Sequence, residues 1–189
     1  MNRLHHNHDR ERLLELLKAF SYERRPVTLA SGKQSDFYLD CRQTALTPEG
    51  HFLIGRLLLA EVRATGIAVE AVGGMTLGAD PLASAVSLTS YLGGGSALGA
   101  FIVRKDAKAH GTAQLVEGLK GIRPGASVAL LEDVVTTGAS ALRAAESVRQ
   151  VGLKPEFVCA VVDRGDGGRE ALAAAGLPLR ALFTAQDFL

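Results

Sequence analysis

The sequence predicts an α/β fold: a mostly parallel, twisted sheet flanked by helices, preceded by a small N-terminal hairpin. Three observations lead there. From Val69 onward, short apolar runs alternate with helix-favouring segments, the pattern of strand–helix–strand units. The runs over residues 128–131 and 156–162 are apolar at nearly every position, as strands covered on both faces are. Several runs end in loops rich in glycine, hydroxyl or charged residues, and open α/β sheets hold their ligands at those strand ends.

Composition narrows the classes. The chain has 189 residues, 47% hydrophobic and 22% charged, with no long polar or proline-rich break, which suits one domain with a substantial core. A net charge of +1 gives no general electrostatic case for nucleic acid. The apolar stretches are too short for a membrane span, and no apolar signal segment follows the N-terminal charges. Cys41 and Cys159 stand alone, without metal or redox spacing, so a reducing cytoplasm is expected.

In chain order, residues 1–8 are polar and carry His5, His6 and His8. Such a cluster could hold a metal, but the stretch reads as a frayed tail. Residues 9–20 set Leu13, Leu14, Leu16, Leu17 and Phe20 at helical spacing, with Lys18 late, and predict an amphipathic helix. Residues 27–30 and 37–41 alternate around a turn at 31–35, which predicts a β-hairpin. On pattern alone, Phe37 and Tyr38 are either core aromatics or a binding surface. Thr47 and Pro48 open a helix, since proline suits the first turn. Residues 69–72 predict a short buried strand. The glycine-rich loop over 73–81 can turn the chain or present N–H groups to an anion. A helix over 81–91, a turn over 92–97 and a strand over 98–103 follow.

Residues 104–112 hold Arg104, Lys105, Lys108 and His110 and close on Gly111. They are poor core material, suited to a solvated loop or to an anion. A short strand is expected over 115–117. Near the C-terminus, the strand over 156–162 runs into Asp163, Arg164 and a glycine-rich loop. Arg164 is placed there to receive an anion, or to pair with Asp163 or Asp166. A short helix over 169–175 and a strand over 179–183 complete the chain.

The most informative stretch is residues 128–140. An apolar run ends in Glu132 and Asp133; Val134, Val135, Thr136, Thr137, Gly138, Ala139 and Ser140 follow, and a helix is expected over 141–150. A phosphate monoester needs several converging donors. Small residues let the backbone curl into a nest, glycine removes a Cβ from the approach, and a helix start adds partial positive charge. Thr136, Thr137 and Ser140 add hydroxyls. The carboxylates suit ribose hydroxyls or a Mg²⁺ ion shared with phosphates. The bland alternative is an ordinary strand-to-helix turn with Ser140 as its cap.

E-D-V-V-T-T-G-x-S resembles the signature of type I phosphoribosyltransferases that binds PRPP, a ribose carrying a 5′-phosphate and a 1-diphosphate. L-x-S-G-K-x-S-x-x-Y-x-D-x-R, over residues 29–42, resembles the N-terminal hood of orotate phosphoribosyltransferases. R-K-x-x-K-x-H-G, over 104–111, resembles their mobile catalytic loop. The motifs follow the family's order and span nearly the whole chain.

The resemblance implies a type I phosphoribosyltransferase fold in a single domain over residues 1–189, with a hood from about 20–45. It implies transfer of the ribosyl phosphate of PRPP to orotate, giving orotidine 5′-monophosphate and diphosphate. Glu132 and Asp133 would bind the ribose hydroxyls and Val134 to Ser140 the 5′-phosphate. Gly74, Met75, Thr76 and Leu77 would form the diphosphate loop. Arg104, Lys105, Lys108 and His110 would close on the diphosphate. Catalysis would draw on Lys108, Asp133, Lys105 and His110. Orotate would meet Thr136, Arg164, Tyr38 and Phe37. Mg²⁺ would act through the substrate, without direct protein ligands. A cytoplasmic homodimer is implied, with the catalytic loop reaching the partner's site, and with no nucleic-acid or membrane partner. Two departures stand out: relatives carry a lysine where this chain has Ala30, with Lys33 beyond the glycine, and some carry one in the diphosphate loop, where this chain has none.

Overall fold

Along the strand Ser127–Val135, alternate side chains serve different layers. Val128 and Leu130 pack into one buried cluster with Ala144 and Val148, whereas Ala129 and Leu131 pack into another with Leu57 and Leu82. A period of two, apolar in both phases, is what a strand buried on both faces requires. The computed structural model describes residues 3–28, 34–106 and 115–189.

The elements are α1 (Arg3–Phe20), β1 (Tyr22–Thr28), β2 (Gln34–Leu39), α2 (Arg42–Ala45), α3 (Pro48–Ala64), β3 (Ala71–Met75), α4 (Ala79–Leu92), β4 (Gly99–Val103), β5 (Val116–Glu117), β6 (Ser127–Val135), α5 (Ala139–Gln150), β7 (Lys154–Asp163), α6 (Gly168–Ala174) and β8 (Leu179–Thr184). A six-stranded sheet runs in the order β5-β4-β3-β6-β7-β8. All neighbours are parallel except β5, which lies antiparallel on β4. Helices α1, α3 and α4 supply one buried layer, and α5 and α6 the other. The β1–β2 hairpin forms a separate two-stranded antiparallel sheet. The predicted α/β class, with its parallel sheet between helices, is the class observed.

Several boundaries differ from expectation. Helix α1 begins at Arg3, so the polar stretch with the histidines is helical and not a frayed tail. The hairpin's first strand starts at Tyr22, earlier than the alternation suggested, and its second ends at Leu39. Gly73, Gly74 and Met75 belong to β3 and not to the loop, because the neighbouring β4 supplies ladder partners up to Met75. Glu132 and Asp133 lie within β6 for the same reason: β7 pairs with it as far as Val135. Tertiary pairing overrides local composition in both cases.

Candidate active site

The crevice arises from strand order. From β3 the chain winds outward through α4 to β4; from β6 it winds the other way through α5 to β7. Strands β3 and β6 therefore flank a topological switch point, where loops diverge and leave a gap. Their pairing stops at Gly73 and Leu130, although both strands continue. A cleft of about 280 Å³ opens there, lined by Tyr38, Asp40, Arg42, Thr76, Leu77, Gly78, Lys105, Glu132, Asp133, Val134 and Ser140, among others.

Glu132 and Asp133 form the cleft's acidic wall. Glu132 is 7% exposed, and its Oε1 is buried without a hydrogen-bond partner among the described residues. Burial, reinforced by the Asp133 charge and opposed by Arg143, pushes its carboxyl up to about 8. Burial also raises Asp133, although the Val134 N–H donates to its Oδ1 at 2.8 Å. A raised carboxyl means that the folded chain keeps a proton which the unfolded chain releases. Stability of the ligand-free protein is thus expected to fall as pH rises from about 4.5 to about 8. Glu132→Gln should flatten that slope and raise the thermal midpoint above pH 8 by about 5 °C. Thermal melts across this range check it; an unchanged slope in the variant would show that Glu132 is not the titrating group.

Beyond the acids, the chain turns into α5. Gly138 precedes the helix with φ +78°, and a Cβ there would press on Gly168 O and Leu172 Cγ, both at 3.2 Å. Glycine meets both the conformation and the contact. No side chain caps α5, whereas the Thr47 hydroxyl accepts the Gly50 N–H at the start of α3. The first N–H groups of α5 therefore keep their capacity for an anion. Ser140 is not the cap; it faces the cleft.

Across the gap, the Thr76 N–H donates to Val103 O at 2.8 Å, and its hydroxyl donates to Asp80 at 2.7 Å. The Thr76–Leu77 peptide is cis. Gly78 lies so close to Asp133 that a Cβ would fall within 2.8 Å of its carboxylate. The loop is thereby packed against the acidic wall. Met75, Thr76 and Leu77 line the cleft, and Gly74 lies behind it in β3.

The orotate set divides. Tyr38 lines the cleft, with the Arg25 guanidinium 3.9 Å from its ring centre. Phe37 is 7% exposed and packs with Tyr22 and Phe188. The Arg164 guanidinium lies 5.2 Å above its ring. Thr136 is half-buried in the turn before α5. Arg164 is held at both ends of its loop: its own N–H donates to Val135 O at 2.9 Å, and the buried Asp163 accepts the Gly165 N–H at 3.0 Å. Asp163 pairs with Arg169 at 2.8 Å, and Arg164 with Asp166 at 3.4 Å.

Among the cations, Lys105 lines the cleft. Arg104 lies 3.6 Å from Glu117 and lines a neighbouring cavity with Lys105 and Arg143. Lys108 and His110 lie outside the described residues, as do Ala30 and Lys33. Sequence reasoning did not single out Asp40 and Arg42 as site residues, although both line the cleft. The pair lies in the Y-x-D-x-R stretch, but the chain leaves β2 at Leu39 and Arg42 opens α2, so strand periodicity could not have placed the two on the cleft.

No family model matches the chain. It is 52% identical to the orotate phosphoribosyltransferase of Sorangium cellulosum over 181 residues, covering 96% of this chain and 93% of that one. A solved Mycobacterium tuberculosis orotate phosphoribosyltransferase, in complex with Fe(III) dicitrate, superposes with a TM-score of 0.79 at 40% identity, covering 95% of this chain and 98% of that one. The M. tuberculosis enzyme in complex with PRPP gives 0.76 at 38% identity, with the same coverage. Identity at this level across nearly the full length of both partners, on a shared type I phosphoribosyltransferase fold, means that the chain belongs to the orotate phosphoribosyltransferase family.

Proposed function

We propose that the protein transfers the ribosyl 5-phosphate of PRPP to orotate, forming orotidine 5′-monophosphate and diphosphate in de novo pyrimidine synthesis. The observation that carries this reading is the pairing of a buried carboxylate wall with an uncapped helix start at the sheet's switch point. A ribose phosphate needs both. The helix start and the hydroxyls of Thr136, Thr137 and Ser140 receive the 5′-phosphate. Glu132 and Asp133 accept hydrogen bonds from the ribose hydroxyls.

The orotate ring nitrogen, its proton lost, attacks C1′ as the bond to diphosphate breaks. Positive charge grows on the ribose and negative charge on the leaving group. Asp133, and Glu132 once substrate binding displaces its proton, favour the former electrostatically; Arg104, Lys105, Lys108 and His110 neutralise the latter. Mg²⁺, when bound with the substrate, would help neutralise the negative charge that develops on the leaving group. The buried, unpartnered Oε1 of Glu132 and the neighbouring Asp133 carboxylate fit a cation that arrives with the substrate. The loop over residues 104–112 excludes water, which would otherwise hydrolyse PRPP. No covalent nucleophile is required.

We further read the chain as one phosphoribosyltransferase domain that works in the cytoplasm as a homodimer, its catalytic loop serving the partner's site. The exposed Phe52, Leu88 and Leu92 along a groove between α3 and α4 support a partner of this kind. No described helix is long and apolar enough to cross a membrane.

A panel of nucleobases with PRPP and Mg²⁺ tests the acceptor. Orotate should be turned over at least about 10³-fold better than uracil, adenine or hypoxanthine, because only orotate brings a carboxylate to the Arg164 guanidinium. Absence of activity with orotate would overturn the reading. Tight RNA binding without turnover would favour a regulator that keeps only the fold.

A further inference from the structure

The walls of the cleft carry an electrostatic difficulty. Three carboxyl groups line it, from Asp40, Glu132 and Asp133, of which burial holds Glu132 protonated up to about pH 8, against two described cations, Arg42 and Lys105. The substrate proposed above is itself a polyanion. Its 5′-phosphate has the start of α5. Its diphosphate faces the loop Thr76–Leu77–Gly78, which offers backbone and one hydroxyl already donated to Asp80. That loop holds no lysine, and Ala30 replaces another.

We propose that Arg42 is a diphosphate-binding residue, held ready by Asp40. The inference rests on the reading that PRPP binds in this cleft. Arg42 borders the cleft beside Thr76, Leu77 and Gly78, and borders the adjoining depression with Leu77 and Asp80. It therefore stands where the chain passes from hairpin to α2, against the loop that lacks a cation of its own. Its side chain is 47% exposed, whereas Asp40 is 13% exposed.

The geometry is that of a prepared donor. Asp40 accepts from Arg42 Nε at 2.7 Å and from Nη2 at 3.0 Å, which fixes the plane of the guanidinium. Asp40 also accepts the Arg42 backbone N–H at 3.2 Å and the Gln43 side-chain N–H at 3.3 Å. The carboxylate is anchored to the first turn of α2 and the guanidinium is anchored to the carboxylate. Asp40 takes up Nε and Nη2, and the side-on geometry leaves Nη1 on the far side of the guanidinium from the carboxylate. A planar fork fixed in this way loses little freedom on meeting a phosphate oxygen. A lysine on a flexible stem would lose more. Asp40 adds no competition for the ligand, because its own charge is met by Arg42 and sits below the usual carboxylate range through that contact.

The inference predicts selectivity between the two phosphate groups of the reaction. Arg42→Gln keeps an N–H for Asp40 but removes the charge. It should raise the Kd for inorganic diphosphate with Mg²⁺, measured by calorimetry, about 30-fold. The KM for PRPP forward and for diphosphate in reverse should rise similarly. The KM values for orotate and for orotidine 5′-monophosphate should stay within about threefold, since neither carries diphosphate. Arg42→Lys should recover part of the loss by restoring charge without the fork. An unchanged diphosphate Kd in both variants would overturn the inference. So would equal rises in all four Michaelis constants with a lowered thermal midpoint, the mark of a purely structural Asp40–Arg42 pair. Failure of the unmodified protein to turn over orotate would instead overturn the proposed activity, and the diphosphate titration would still decide the role of Arg42.

Discussion

Replacing Lys108 by alanine is expected to lower kcat by about 10³-fold while leaving the thermal midpoint unchanged. The effect is large because the leaving diphosphate gains charge only as the bond to C1′ breaks. A cation brought up at that moment acts on the transition state more than on bound PRPP, so kcat falls more than KM rises. The stems of the loop are well anchored. Val103 pairs with Val116, and the Arg104 N–H donates to Leu115 O at 2.8 Å. The two stems thus lie side by side at the sheet, next to the cleft that Lys105 lines. Steady-state kinetics check the prediction, and wild-type turnover would remove Lys108 from the mechanism. The same variant tests subunit exchange. Mixed with an inactive Asp133→Asn chain, it should regain up to roughly a quarter of the wild-type activity if loops act across the dimer. No recovery would place each loop over its own site.

Arg164→Ala should raise the KM for orotate about 100-fold and that for PRPP less than about threefold. Arg164 is 11% exposed in its side chain, so the charge it presents is poorly screened. Its position is set by rigid parts: the end of β6 through Val135 O, the end of β7 through Asp163, and the Phe37 ring beneath the guanidinium. Phe37 is in turn fixed by Tyr22 and Phe188. A carboxylate on the pyrimidine is the group such an arginine selects. Equal increases in both Michaelis constants would contradict this assignment.

Much of the fold was legible because its signals are local. The strands of the sheet are apolar on both faces, so β6 and β7 stand out without knowledge of their neighbours. The Thr47–Pro48 start of α3 obeys capping rules that act within one turn. What was not legible depended on partners distant in sequence. Glu132 and Asp133 read as the start of a loop because acids are poor strand formers, yet β7 keeps them in the ladder. Gly73 and Gly74 read as a turn, yet Phe101 and Ile102 of β4 hold them extended.

The candidate site divides in the same way. The sequence by itself determined its chemistry: carboxylates, hydroxyls, a glycine at a helix start, clustered cations and one arginine after a strand, because each is a property of residue type and spacing. Only the tertiary structure decided which of these groups meet. It stopped the β3–β6 pairing at Leu130, and so opened the cleft. It buried Phe37 under Arg164 while leaving Tyr38 at the wall, although the two are adjacent in sequence. It also brought Asp40 and Arg42 against the loop at Thr76 to Gly78. Strand order and packing set these distances, and neither is encoded within any single segment.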